Sequence, residues 1–206
     1  MIVSFRHKFI FAAIPKTGTH AVRQALRAHL GPEDIEQVGL FVQRKFPMPE
    51  LAALQHGHLS LEQLRPFLPP EQFDSFFKFA FVRNPFDRFI SYCAFMTRVR
   101  GELESRPHKV MQYYVDNPQW QHVLFQPQYS FVADGSGNLL SDYVGRVEQM
   151  QQSYDEIARR IDIPTAQLGR INATKRRDYR DYYTPALVDG VTALYARDLE
   201  LFGYEF

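Results

Sequence analysis

"KFIFAAIPKTGTHAVRQALRAHL", residues 8–30, decides how the chain is read. The first part, 8–14, is a continuous apolar run closed by Pro15, the pattern of a strand buried on both faces. The last part, 19–30, carries Val22, Leu26 and Leu30 on one stripe and stops at Gly31-Pro32, so a helix is expected there. Lys16, Thr17, Gly18, Thr19 and His20 fill the turn between strand and helix. A helix start presents N–H groups without intrahelical partners and a partial positive charge. With a lysine, a glycine and two hydroxyls beside it, the turn reads as a site for an anion.

The same strand-then-helix pattern recurs. "FFKFAFV" (76–82) is a second buried strand, and "NPFDRFISYCAFM" (84–96) starts a helix with Asn84 as its cap and Pro85 at the first position. Ser60 is the expected cap of a short helix within 59–68, and 107–126 is helical in part. Residues 133–140 form a turn, 141–149 hold a third strand, and 154–161 and 185–202 are later helices. Strands alternating with helices predict an α/β fold around a largely parallel sheet. Ligands of such sheets bind beyond the carboxyl ends of the strands, where the 12–20 turn and the segment after residue 82 both fall. No linker or repeat divides the chain, which predicts one domain over 1–206.

Composition narrows the function. The 206 residues suffice for one well-buried domain, and 45% hydrophobic with 23% charged residues argues against disorder. A net charge of +1 gives no reason to expect nucleic acid as a partner, so any anion site must be local. Cys93 is the one cysteine, which excludes an intramolecular disulfide; its apolar neighbours mark it as a packing residue. The opening segment is broken by Arg6, His7 and Lys8, and no run approaches the ~20 apolar residues of a membrane span. A soluble, cytoplasmic protein without a transmembrane segment is therefore expected.

Chemistry is concentrated in three stretches. The 12–20 turn is not a Walker A loop, because its lysine precedes the glycine and the loop is shorter. No apolar strand ending in Asp stands ready to hold Mg²⁺. A lysine point charge with backbone N–H groups suits a phosphate-like group held without a metal. In "FVRNPFDRFISY" (81–92), Arg83 ends a strand and Ser91 lies on the following helix; by themselves they are either an arginine paired with a carboxylate and a small packing residue, or a fork and a hydroxyl that grip an anion. In "QHGHLSLEQL" (55–64), His56 and His58 lack a third ligand nearby, so no metal is expected. Read by themselves they are either two histidines of a polar loop or an imidazole suited to taking a proton near neutral pH. Arg146 and Glu148 read as a structural pair, and the basic run 170–183 as a solvated face.

"PKTGTH" followed by "FVRNPFDRFISYCAF" resembles the sulfotransferases that use 3′-phosphoadenosine 5′-phosphosulfate (PAPS). The resemblance extends through 126–150 and 172–206, which look like the carbohydrate-directed, Golgi-type branch, and "QHGHL" looks like the His-Gly-His segment of the heparan sulfate 2-O-sulfotransferases. It implies a P-loop-like three-layer sandwich. It implies also that Lys16, Thr17, Gly18, Thr19 and His20 hold the 5′-phosphosulfate and that Arg83 and Ser91 hold the 3′-phosphate. A late loop bearing Lys175 and Arg176 would close over the nucleotide. His58 would be the base, with His56 beside it as a second catalytic candidate, although many relatives use a glutamate. The implied reaction moves a sulfuryl group from PAPS to a hydroxyl of an acceptor, a glycan or glycoconjugate, and releases adenosine 3′,5′-bisphosphate (PAP). A small-molecule kinase on a related fold and a non-catalytic nucleotide-binding module are the alternatives.

Overall fold

The structure, a computed structural model, describes residues 1–39, 42–169 and 177–206. Five strands form one sheet in the order β3-β1-β2-β4-β5: β1 (Ile2–Ser4), β2 (Phe9–Ala12), β3 (Ile35–Glu36), β4 (Phe77–Val82) and β5 (Tyr143–Arg146). β2, β4 and β5 are parallel neighbours, and β1 runs antiparallel to both β2 and β3, so four of the five strands point the same way. The fold is the mixed α/β sandwich expected, a mainly parallel sheet flanked by helices.

Two differences concern the sheet's first edge. Arg6, His7 and Lys8 do not interrupt a strand; they form the turn of the β1–β2 hairpin, with Lys8 at φ +50°. Asp34 organises that turn by accepting from Phe5 N at 2.6 Å, Arg6 N at 3.1 Å and Ser4 Oγ at 2.8 Å. Strands of two or three residues carry too little alternation to be seen in sequence, which is why β1 and β3 were not expected.

The chain forms two compact units. One contains Met1–Val82 and the segment that begins at Ser130; it holds the sheet with α1 (Thr19–Arg27), α2 (Pro49–Ala52), α3 (Leu61–Leu64) and α4 (Pro70–Ser75). Ser60 closes a capping box with Gln63 at the start of α3, as expected of that serine. The other unit begins with Arg83–Tyr129 and contains α5 (Pro85–Met96), α6 (Glu102–Ser105) and α7 (Pro107–Asp116). The first unit also owns α8 (Met150–Arg160), and the second closes with α9 (Pro185–Leu194) and α10 (Ala196–Phe202).

Val22 and Leu26 of α1 and Tyr154, Ile157 and Ala158 of α8 pack on Phe9, Phe11, Phe79 and Phe81 of the central strands. Burial on both faces explains why β2 reads as an unbroken apolar run and β4 as one interrupted only by the buried Lys78. The helix expected over 185–202 is two helices. Tyr195 leaves helical geometry at φ −123° and ψ 27°, its buried ring donating through the hydroxyl to Phe125 O at 2.8 Å.

Candidate functional site

β2 and β4 end at the same sheet edge, and β5 ends there too, with Val82 opposite Arg146. After β2 the chain makes a tight turn. Thr17 is fully buried and its hydroxyl donates to Ile14 O at 2.9 Å, so this side chain braces the loop. Lys16 and Gly18 take left-handed backbone at φ +66° and +70°. The positive φ is what favours glycine at 18; an added Cβ would otherwise meet only the flexible tip of Met150, which can shift. Gly18 N-caps α1 without a side-chain cap, and Ala21 N donates to Gly18 O at 3.1 Å. Left-handed residues in a turn gather N–H groups into a concave, anion-attracting nest. Half-buried Lys16 and His20 stand at its rim. Burial lowers the pKa of His20, and the charges of Arg23, Arg27 and Lys16 lower it further, a sign of the positive field that the net charge conceals.

His58 comes to this turn from 45 residues away: its Nδ1 lies 2.7 Å from Ala13 O. A carbonyl oxygen only accepts, so Nδ1 carries the proton and Nε2 is the unprotonated, basic nitrogen. Burial pushes the His58 pKa down to about 3, with the Met1 amino group, Arg23 and His56 adding to the shift and the Ala13 bond opposing it. The imidazole is thus neutral and oriented by a backbone acceptor, with Nε2 unprotonated. His56 accepts through Nδ1 from His58 N at 3.3 Å, which makes it a shaper of the segment; burial lowers its pKa as well.

The second motif stands at the head of α5. Asn84 caps the helix by accepting from Phe86 N at 2.9 Å, and Pro85 holds the first position, as expected. Arg83 Nε and Nη2 both meet Asp87 Oδ2, at 2.6 and 2.5 Å, and Ser91 lies one further turn along the helix. Gln128, fully buried, grips the backbone of Arg83 on both sides: its Oε1 accepts from Arg83 N at 2.9 Å and its Nε2 donates to Arg83 O at 2.9 Å. Asp198 on α10 in turn accepts from Gln128 N at 2.7 Å and Tyr129 N at 2.8 Å. Sequence reasoning missed both residues; the one signal was a polar pair embedded in the aromatic runs around 128 and 198. Asp198→Ala leaves two N–H donors, one buried and one part-buried, without this acceptor. It should lower unfolding stability by about 2–6 kcal/mol in a denaturant titration, at the usual ~1–3 kcal/mol per orphaned group.

Lys175 and Arg176, the expected late-loop contacts, lie outside the described residues. Arg146 and Glu148 are both exposed near the end of β5, and Cys93 is buried, its thiol pKa raised by desolvation. Among the described residues, no group of three or more His, Cys, Asp or Glu is placed to hold a metal ion, and no helix is long and apolar enough to cross a membrane.

Comparison with curated proteins gave no match, and neither did comparison with solved structures. The family model for the sulfotransferase family matches residues 1–205, through both compact units. An anion turn between strand and helix and a match over nearly the whole length lead to one conclusion: the chain belongs to the sulfotransferase family.

Proposed function

We propose that this sulfotransferase takes its sulfuryl group from PAPS and delivers it to a hydroxyl of a carbohydrate acceptor, with His58 as the general base. The observation that carries the reading is the 2.7 Å bond from His58 to Ala13 O. It fixes a neutral imidazole beside the turn whose lysine and N–H groups suit the phosphosulfate. A hydroxyl nucleophile needs a base there, and a nucleotide-binding module does not. The carbohydrate assignment rests on the resemblance of 55–64, 126–150 and 172–206 to the glycan-directed branch. The family match running through both units supports a single sulfotransferase domain.

The reaction is an in-line displacement at sulfur. His58 Nε2 takes the proton of the acceptor hydroxyl as its oxygen forms the new S–O bond. The bond from sulfur to the bridging oxygen of the 5′-phosphate breaks, and its electron pair leaves with PAP. Negative charge grows on that oxygen, where Lys16 and the first-turn N–H groups of α1 stabilise it. The resemblance assigns the 3′-phosphate, the group that distinguishes PAPS from ATP, to Arg83 and Ser91.

A thermal-shift comparison of PAP with AMP tests the donor assignment. A ligand at 100 times its Kd stabilises by about 2.7 kcal/mol. For a chain of this size that corresponds to roughly 5–10 °C. PAP should produce that shift at concentrations where AMP produces little. Equal shifts from the two nucleotides would remove the 3′-phosphate, and with it PAPS, from the reading.

A further inference from the structure

The His-Gly-His segment is held from behind by a residue that is not part of the anion turn. Residues 37–39 and 55–57 run backbone against backbone so closely that each contributes a glycine. A Cβ on Gly57 would lie 2.1 Å from Gln37 O and 2.7 Å from Arg23 Nη2, and a Cβ on Gly39 would lie 2.2 Å from Gln55 O. The glycine between the two histidines is thus there for clearance. Across the junction reaches Arg23, buried in the second turn of α1, the helix that starts at the anion turn. Its Nη1 donates to Gln37 O at 2.9 Å and its Nη2 to Gly57 O at 2.8 Å, one guanidinium tying both segments together. The Met1 nitrogen donates to the same two carbonyls, and Gln37 Nε2 donates to His56 O at 2.9 Å.

Arg23 also faces Glu36, and a plain ion pair would be the ordinary use of such a residue. The distances favour the other role. Arg23 reaches Glu36 only at 3.4 Å, while Arg27 holds that carboxylate with Nε at 2.9 Å and Nη2 at 2.9 Å. The short bonds of Arg23 go to the segment that carries the base. A lysine at 23 would offer one ammonium in place of the two separate fork nitrogens that meet Gln37 O and Gly57 O, and so would not reproduce this geometry.

We propose that Arg23 is a positioning residue for His58: by clamping Gly57 to Gln37 it sets the reach of the base and fixes that base to the helix whose first turn serves the donor. The proposal rests on His58 being the base. It concerns the acceptor step, so its signature falls on kcat and not on the donor. Misplacing a catalytic group by about an ångström costs on the order of 10²-fold.

Four variants test this in steady-state kinetics with PAP thermal shifts alongside: Arg23→Lys, Gly57→Ala, His58→Ala and the double variant Arg23→Lys/His58→Ala. Gly57→Ala displaces the segment while keeping Arg23 and Glu36, and stands in should Arg23→Lys fail to fold. Arg23→Lys and Gly57→Ala should each lower kcat by about 10- to 10²-fold with donor KM and PAP shift within twofold of wild type. In the double variant, Arg23→Lys should cost nothing beyond His58→Ala, because it acts through a base already absent. Losses that multiply in the double variant would make Arg23 merely structural. So would a weakened PAP shift that accounts for the whole defect. A fully active His58→Ala would overturn the base assignment itself, whereas a defective His58→Ala beside an undisturbed Arg23→Lys and Gly57→Ala would overturn the positioning role alone.

Discussion

His58→Ala should lower kcat by about 10²- to 10⁴-fold, the usual range for a general base, while the PAP-induced thermal shift stays at the wild-type value. The split follows from the geometry. The imidazole is oriented by Ala13 O and stands ready to serve the acceptor, so its loss leaves the anion turn intact. The pH dependence carries a sign that ordinary histidine chemistry does not. Burial holds the free-enzyme pKa of His58 down at about 3, so its base form persists far below the usual ~6.5 of a histidine. The acid limb of kcat/KM, which reports the free enzyme, should therefore lie well under pH 6.5. Bound donor brings negative charge that favours imidazolium, which should place the acid limb of kcat at higher pH than that of kcat/KM. Stability follows the same linkage. With the folded pKa depressed, stability is lost as pH falls from ~6.5 toward 3, and His58→Ala should lose less of it over that window. His56→Ala, which removes only the acceptor for His58 N, should cost less kcat than His58→Ala. A His58→Ala enzyme of normal activity and unchanged acid limb would move the base elsewhere, with a glutamate next to be tested.

Lys16→Met is expected to lower kcat/KM for the donor by about 10²- to 10³-fold, the scale of removing one preorganised charge from a developing anion. Unlike the loss of His58, it should also shrink the PAP shift, because the phosphates of the ground state feel that charge too. Folding should be nearly untouched. Lys16 is half-buried at the rim of the turn, and the turn's own bracing comes from Thr17 and Gly18. A Lys16→Met protein with a full PAP shift and normal donor kcat/KM would detach the lysine from the donor and leave the helix start as the anion site.

What the sequence made legible is what local pattern encodes. The β2–α1 and β4–α5 junctions could be read because a buried strand, a turn residue and a helix cap follow one another within a few positions. Lys16, Gly18, Arg83 and Asn84 were visible for that reason. His56 and His58 were visible only as a motif, and nothing local said that Ala13 would supply the acceptor for the imidazole. Arg23, Gln37, Gln128 and Asp198 were not seen. The backbone groups described above as their partners lie between 14 and 70 residues away, and a sequence does not display them. Arg23 left one trace, since it stands on the apolar stripe between Val22 and Leu26, where a charge is out of place unless something buried receives it. The break at Tyr195 had no signal either, because helical periodicity runs through it and only the tertiary bonds of Tyr195 and Asp198 end one helix and start the next.

The most direct measurement is label transfer: the purified protein is incubated with sulfur-labelled PAPS and a panel of glycans and small hydroxyl compounds, in EDTA, beside γ-phosphate-labelled ATP with Mg²⁺. The account predicts that label from PAPS appears on a carbohydrate of the panel, that EDTA does not prevent it, that His58→Ala abolishes most of it, and that ATP labels nothing. Transfer from ATP with none from PAPS would contradict the account and make the protein a kinase, and binding of PAP without any transfer would make it a nucleotide-binding module.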